Sequence, residues 1–104
     1  MGITQEHLNN SIVESVSGFI TRDWVKCKDG FEVSVQASGS HYCIPRDANG
    51  VYTHVEMGFP SDYMGDEFQQ YAEEPECPTD TVYSCVPIEM IDRLIESHGG
   101  LAND

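Results

Sequence analysis

At 104 residues the chain is one domain in length, large enough to bury a single core without staples. It carries 18 Asp and Glu against five Lys and Arg, a formal charge of −13, so it repels nucleic acid and anionic membranes and is drawn to basic surfaces. Ten aromatics and regular apolar punctuation argue against disorder, and no apolar run reaches the length of a membrane span.

The start, Met1 to His7, has neither a basic n-region nor an apolar h-region, and a soluble intracellular protein is expected. Residues 4–20 read as a helix, because Leu8, Ile12, Val16 and Ile20 recur every four residues and Val13 and Phe19 widen the stripe. Thr4 suits its N-cap. A hairpin follows over 23–37. Val25 and Cys27 alternate, Lys28-Asp29-Gly30 turns, and Phe31, Val33, Val35 and Ala37 alternate again. A three-residue loop with Gly30 in the left-handed region pairs Val25 with Val33 and Cys27 with Phe31, which keeps one face apolar.

A second hairpin is expected over 41–57, with His41 to Arg46 returning through Asp47-Ala48-Asn49-Gly50 into Val51 to Met57. Pro45 has no amide donor, which places its strand at an edge or a bulge. Residues 58–80 form an irregular acidic segment, with room for a short helix between Ser61 and Glu74. Residues 81–86 read as a strand. Pro87 opens a helix over 87–98 with the stripe Ile88, Ile91, Leu94 and Ile95, stopped by Gly99, and the tail Leu101 to Asp104 is expected to fray. The expected fold is α+β: an antiparallel sheet of about five strands with an N-terminal and a C-terminal helix on one face.

Four kinds of chemistry are weighed against this frame. His41 and Cys43, and Cys77 and Cys85, lack the close spacing of zinc ligands, and buried thiols are the simpler reading. A nucleophilic Cys43 beside His41 or His54 lacks the positive surroundings that make a thiolate. The four cysteines allow three disulfide connectivities, and without a secretory signal free thiols are expected. Paired carboxylates acting as general acids or metal ligands need a deep cleft, and no calcium-loop or phosphate-cradling pattern occurs. No catalytic residue, metal or cofactor is therefore assigned, and a non-enzymatic protein is expected.

The fourth is the acidic surface itself. From Asp47 to Asp92 there is no Lys or Arg, while eleven carboxylates fall there. DNA carries one charge about every 3.4 Å along each strand, and alternate side chains on an extended chain lie roughly 6–7 Å apart. A carboxylate-rich strand and loop can thus imitate a phosphate row. The candidate partner-binding residues are Glu56, Asp62, Asp66, Glu67, Glu73, Glu74, Glu76 and Asp80 for charge, with Tyr63 and Tyr71 as aromatic anchors inside a charged rim.

The stretches His41-Tyr42-Cys43-Ile44-Pro45-Arg46 and Gly50 to Ser61, then Tyr71-Ala72-Glu73-Glu74-Pro75, Pro78 to Tyr83 and Leu94 to Gly100, resemble small uncharacterised acidic proteins of phages and prophages. That likeness covers about the last 65 residues and brings no residue roles with it. In size and acidity the chain is also similar to anti-CRISPR proteins, by profile and not by motif. The likeness implies an inhibitor in the cytoplasm of a bacterial host that blocks the basic channel of a CRISPR effector complex or its nuclease. Two alternatives are a phage accessory protein that self-associates through its sheet as a homodimer, and a small zinc-binding or thiol-dependent protein using Cys27, His41, Cys43, Cys77 or Cys85.

Overall fold

The computed structural model describes residues 2–10, 12–14, 20–38, 41, 43–45 and 51–102. In chain order these form α1 (Ile3–Asn10), β1 (Ile12–Glu14), β2 (Ile20–Arg22), β3 (Val25–Lys26), β4 (Glu32–Gln36), β5 (His54–Gly58), α2 (Asp66–Gln69), β6 (Val82–Pro87) and α3 (Ile88–Ser97). The class is α+β. The sheet has four antiparallel strands in the order β3-β4-β5-β6, and β1 and β2 form a separate two-stranded ribbon, so the main sheet is one strand smaller than the expected five.

The first correction concerns the expected helix over 4–20. It ends at Asn10, and Ile12, Val13 and Glu14 pair antiparallel with Arg22, Thr21 and Ile20. Asn9 and Asn10 are weak helix formers, and Ile12, Val13, Ile20 and Thr21 are β-branched residues that favour extended backbone. The expected stripe residues Val16 and Phe19 lie outside the described residues. Thr4 is not an N-cap but a residue of the first turn, whose backbone N–H donates to Asp92 Oδ1 of α3 at 2.9 Å. A carboxylate from another helix thus satisfies an orphan donor at the start of α1. A Cβ on Gly2 would stand 2.4 Å from Asp92 Oδ2, so a side chain there would push this carboxylate aside.

The first hairpin has the expected register, Val25 opposite Val33 and Lys26 opposite Glu32. Gly30 has φ 96°, Cys27 N–H donates to Phe31 O at 2.8 Å, and Asp29 Oδ1 accepts the Phe31 N–H at 3.0 Å.

Of the expected second hairpin over 41–57, the described residues show β5 and a short paired piece before it. β5 pairs with β4 on one side (Val35 opposite Met57) and β6 on the other (Val55 opposite Val86), which fills both of its edges. The segment before it keeps one bridge, Ile44 to His54, at the end of β5, and the Ile44–Pro45 bond is cis. Tyr42 and the loop Asp47 to Gly50 lie outside the described residues. The alternating valines of β4 offer Val55 and Met57 a continuous apolar partner, whereas Pro45 interrupts the ladder on the other candidate.

Short segments cover both outer edges of the sheet. Beside β6, Ala72 bridges Tyr83, and Ser84 N–H donates to Tyr71 O at 3.0 Å. Beside β3, Cys27 bridges Leu101, Lys28 N–H donates to Gly100 O at 3.0 Å, and Ala102 N–H donates to Lys26 O at 2.8 Å. Leu101 and Ala102 are therefore paired and not frayed. Such cover removes the open ladder that would invite another strand.

The helix over 87–98 is confirmed as Ile88–Ser97, with Pro87 at its N-cap position. Ile91, Leu94 and Ile95 are buried against Leu8 of α1 and the apolar sheet face of Val25, Val33, Val35, Val55, Met57 and Val86. Full burial of each such aliphatic side chain is worth roughly 1.5–3 kcal/mol. After α3, Gly100 N–H donates to Ile95 O at 2.9 Å, and the His98 ring stacks on Phe31 with centroids 4.2 Å apart while its Nδ1 lies 2.6 Å from Asp29 Oδ2.

One cation belongs to the framework. Arg22 is 4% exposed. Its guanidinium donates to Leu8 O, and to Ala37 O at 3.0 and 3.1 Å, and it lies 5.8 Å from the Tyr52 ring centroid. Gln36 brackets it, accepting from Arg22 N–H at 2.7 Å and donating to Arg22 O at 2.8 Å. α1, β2 and the end of β4 are joined through this one side chain.

Candidate functional site

The acidic segment wraps one end of the sheet and is tied down along its length. Phe59 N–H donates to Thr81 O at 3.1 Å, and Ser61 N–H donates to Glu32 O at 2.8 Å while Ser61 Oγ accepts from Glu32 N–H at 2.9 Å. Glu73 N–H donates to Val82 O at 2.9 Å, and the buried Thr81 hydroxyl accepts from Glu74 N–H at 2.9 Å. The turn Glu74 to Asp80 is closed by Cys77 N–H to Glu74 O and Asp80 N–H to Cys77 O, both 2.9 Å. Tyr83, buried in the core, donates its hydroxyl to Pro78 O at 2.6 Å from below. The short helix α2 is held by Phe68, which is buried.

On this scaffold Asp62, Asp66, Glu67, Glu73, Glu74, Glu76 and Asp80 are all exposed. The one ion pair among the described residues is His98 with Asp29, so none of the seven is neutralised by a described cation. Their side-chain hydrogen bonds are local: Asp62 Oδ1 accepts Tyr63 N–H at 2.8 Å, and Asp66 accepts the Tyr63 hydroxyl. That bond to a carboxylate pushes the Tyr63 phenol above its ordinary pKa.

Glu56 stands apart. It lies on β5 opposite Gln36 and is half-buried on the polar sheet face. The two aromatic candidates also separate. Tyr63 is 46% exposed, whereas Tyr71 is half-buried against the core and lends its carbonyl to β6. Phe59 is a second exposed ring of the acidic segment. It is 43% exposed and has φ 52°, an unusual backbone for a bulky residue. Its sign in the chain was its place among the carboxylates of the acidic run.

Folding adds one carboxylate that lies far away in sequence. Asp29, at the tip of the first hairpin, shares a recess of about 270 Å³ with Ser61, Asp62 and His98. Its carboxyl is held below the ordinary value by the Phe31 N–H first and then by His98.

The thiols and histidines are used one by one. All four cysteines are thiols, with Cys27 and Cys43 buried and Cys77 exposed. The Cys43 thiol donates to Ser38 O at 3.2 Å and Pro45 O at 3.3 Å, while His41 Nδ1 lies 2.6 Å from Ser38 Oγ. His54 Nδ1 lies 2.9 Å from Thr53 Oγ1. Burial first, and then the Asp29 charge, raise the Cys27 thiol pKa, which keeps it protonated. No group of three or more potential metal ligands occurs among the described residues. No helix among them is long and apolar enough to cross a membrane.

Compared with known protein families, with curated proteins and with solved structures, the chain gives no match.

Proposed function

We propose that this protein is a non-enzymatic, anti-CRISPR-like inhibitor of phage type. It acts in the cytoplasm of a bacterial host and sets its acidic surface against the basic nucleic-acid-binding site of a CRISPR effector complex or its nuclease. One observation carries the reading. Seven exposed carboxylates stand on a segment fixed by backbone hydrogen bonds, with the exposed rings of Phe59 and Tyr63 among them and no described cation paired to them. Fixed charges of one sign on a rigid support steer a basic partner and lose little entropy on docking. Exposed aromatics supply the desolvated anchors that charge alone does not. Asp29 and Asp62 extend the same surface toward the hairpin tip.

The test is capture of partners from a bacterial lysate carrying a CRISPR system, with washes at low and high salt. A nucleic-acid-binding complex should be retained at low salt and released at high salt, because exposed charge pairs are screened. The variant E73K/E74K/E76K should lose that partner while keeping the circular dichroism of the parent. Retention of the same partner by the triple variant would remove the acidic segment as the site.

A further inference from the structure

A second region lies on the polar face of the sheet, away from the core. It is a cleft of about 1170 Å³, lined among others by Lys26, Ser34, Gln36, Trp24, His7 and His41. Its charge differs from that of the chain as a whole. The whole chain has five Lys and Arg against 18 Asp and Glu, yet among the described residues lining this cleft Arg22 and Lys26 balance Asp23 and Glu32, with His7 and His41 beside them. Trp24 is the sole tryptophan, and 43% of it is exposed although the next residue, Val25, is fully buried. An indole left open just before β3, two residues from an exposed ammonium, is a stacking platform with a cation at its margin.

The walls are also held in place. A His7 ring nitrogen lies 2.8 Å from Asp23 O, and His41 Nδ1 lies 2.6 Å from Ser38 Oγ. Gln36 is fixed at both ends of its amide by the Arg22 backbone. Side chains locked by such bonds meet a ligand without first losing rotamer freedom. Small-molecule sites of roughly 300–1,000 Å³ are typical, so the cleft has room for a ligand of nucleotide size.

We infer that this cleft binds a planar aromatic molecule carrying a single anionic group, with the ring on Trp24 and the anion on Lys26. Asp23, Glu32 and the net charge of −13 oppose polyanions. The site is independent of the acidic segment.

The sole tryptophan reports occupancy directly. The protein is titrated with 2-naphthoate, with the uncharged 2-naphthamide and with inorganic triphosphate, following Trp24 emission and, in parallel, heat by calorimetry. Saturable binding of 2-naphthoate is expected, with the amide and triphosphate weaker by about tenfold or more. K26M should weaken 2-naphthoate by about tenfold to the level of the amide, and W24L should abolish the heat. Both side chains are exposed, so both variants should fold. The E73K/E74K/E76K variant should bind 2-naphthoate as the parent does, which separates this site from the acidic one. A non-saturating response to 2-naphthoate, equal affinity for the amide, or full binding by K26M or W24L would overturn the assignment.

Discussion

The acidic segment and the Arg22 anchor use charge in opposite ways. Arg22 is almost wholly buried, and its donors are spent on the carbonyls of Leu8 and Ala37 and on the geometry of Gln36. The carboxylates from Asp62 to Asp80 are exposed, and their side chains hold together nothing beyond the adjoining turn. One cation of the scarce sign is used to build the molecule, while these carboxylates of the abundant sign are left facing outward. A buried charge must be matched by dipoles or partners, because desolvation is costly. An exposed carboxylate is matched by water and can be exchanged for another protein's cation at small cost. The difference explains why the folded chain presents an almost uniform negative end without internal compensation.

Four predictions sharpen this contrast. The largest effect is expected at Arg22. Arg22→Met leaves the carbonyls of Leu8 and Ala37 without their donors and should cost about 3 kcal/mol in urea denaturation. Arg22→Lys keeps the charge but not the planar fork, and should recover less than half of that loss. A cost below about 1 kcal/mol for the Met variant would mean that the anchor is not structural.

The triple reversal E73K/E74K/E76K comes next and has the opposite profile. It should abolish partner binding while stability changes by no more than about 0.5 kcal/mol per site. Three reversals change the formal charge by six, from −13 to −7, so thermal stability at low salt should hold or rise as self-repulsion falls.

Phe59 tests whether the exposed ring is kept for binding at the expense of the backbone. Its φ of 52° suits glycine better than phenylalanine. Phe59→Gly should leave stability unchanged or improve it by up to about 1 kcal/mol, while weakening partner binding by at least about tenfold.

The smallest effect is expected at Asp29, and it depends on pH. The Asp29 carboxyl is held down in the folded protein by the Phe31 N–H and by His98. A depressed folded pKa adds stability that is present above the unfolded pKa and is lost as pH falls through the folded one. Asp29→Asn should therefore flatten the acid limb of a plot of Tm against pH below about pH 4 and leave the neutral region little changed. An unchanged acid limb would show that this carboxylate does not contribute.

Features that depend on neighbours in sequence were legible before folding. The hairpin register at Val25 and Val33 follows from alternation and from Gly30, and α3 follows from Pro87, the stripe Ile91, Leu94 and Ile95, and the Gly99 stop. The exposure of the acidic run follows from the cost of burying unpaired carboxylates. The first helix was misjudged because Leu8, Ile12, Val16 and Ile20 fit a period of four residues equally well whether or not β-branched residues prefer a strand.

Which partner a strand takes is a different kind of fact. β5 reaches back across the chain from His54 to pair with β4, and its valine and methionine could not signal that choice over the nearer segment at Ile44. The roles of Arg22, Phe59, Tyr71 and Asp29 were likewise invisible, since each depends on residues distant in sequence: Ala37, Thr81, Ser84 and His98. The sequence alone determined the local periodicities, the turn chemistry and the excess of negative charge, because each is a property of a few adjacent residues or of the total. Only the tertiary structure decided which cation is buried, which aromatic is open and which edges are covered, because those outcomes depend on competition among distant segments for a limited number of buried positions.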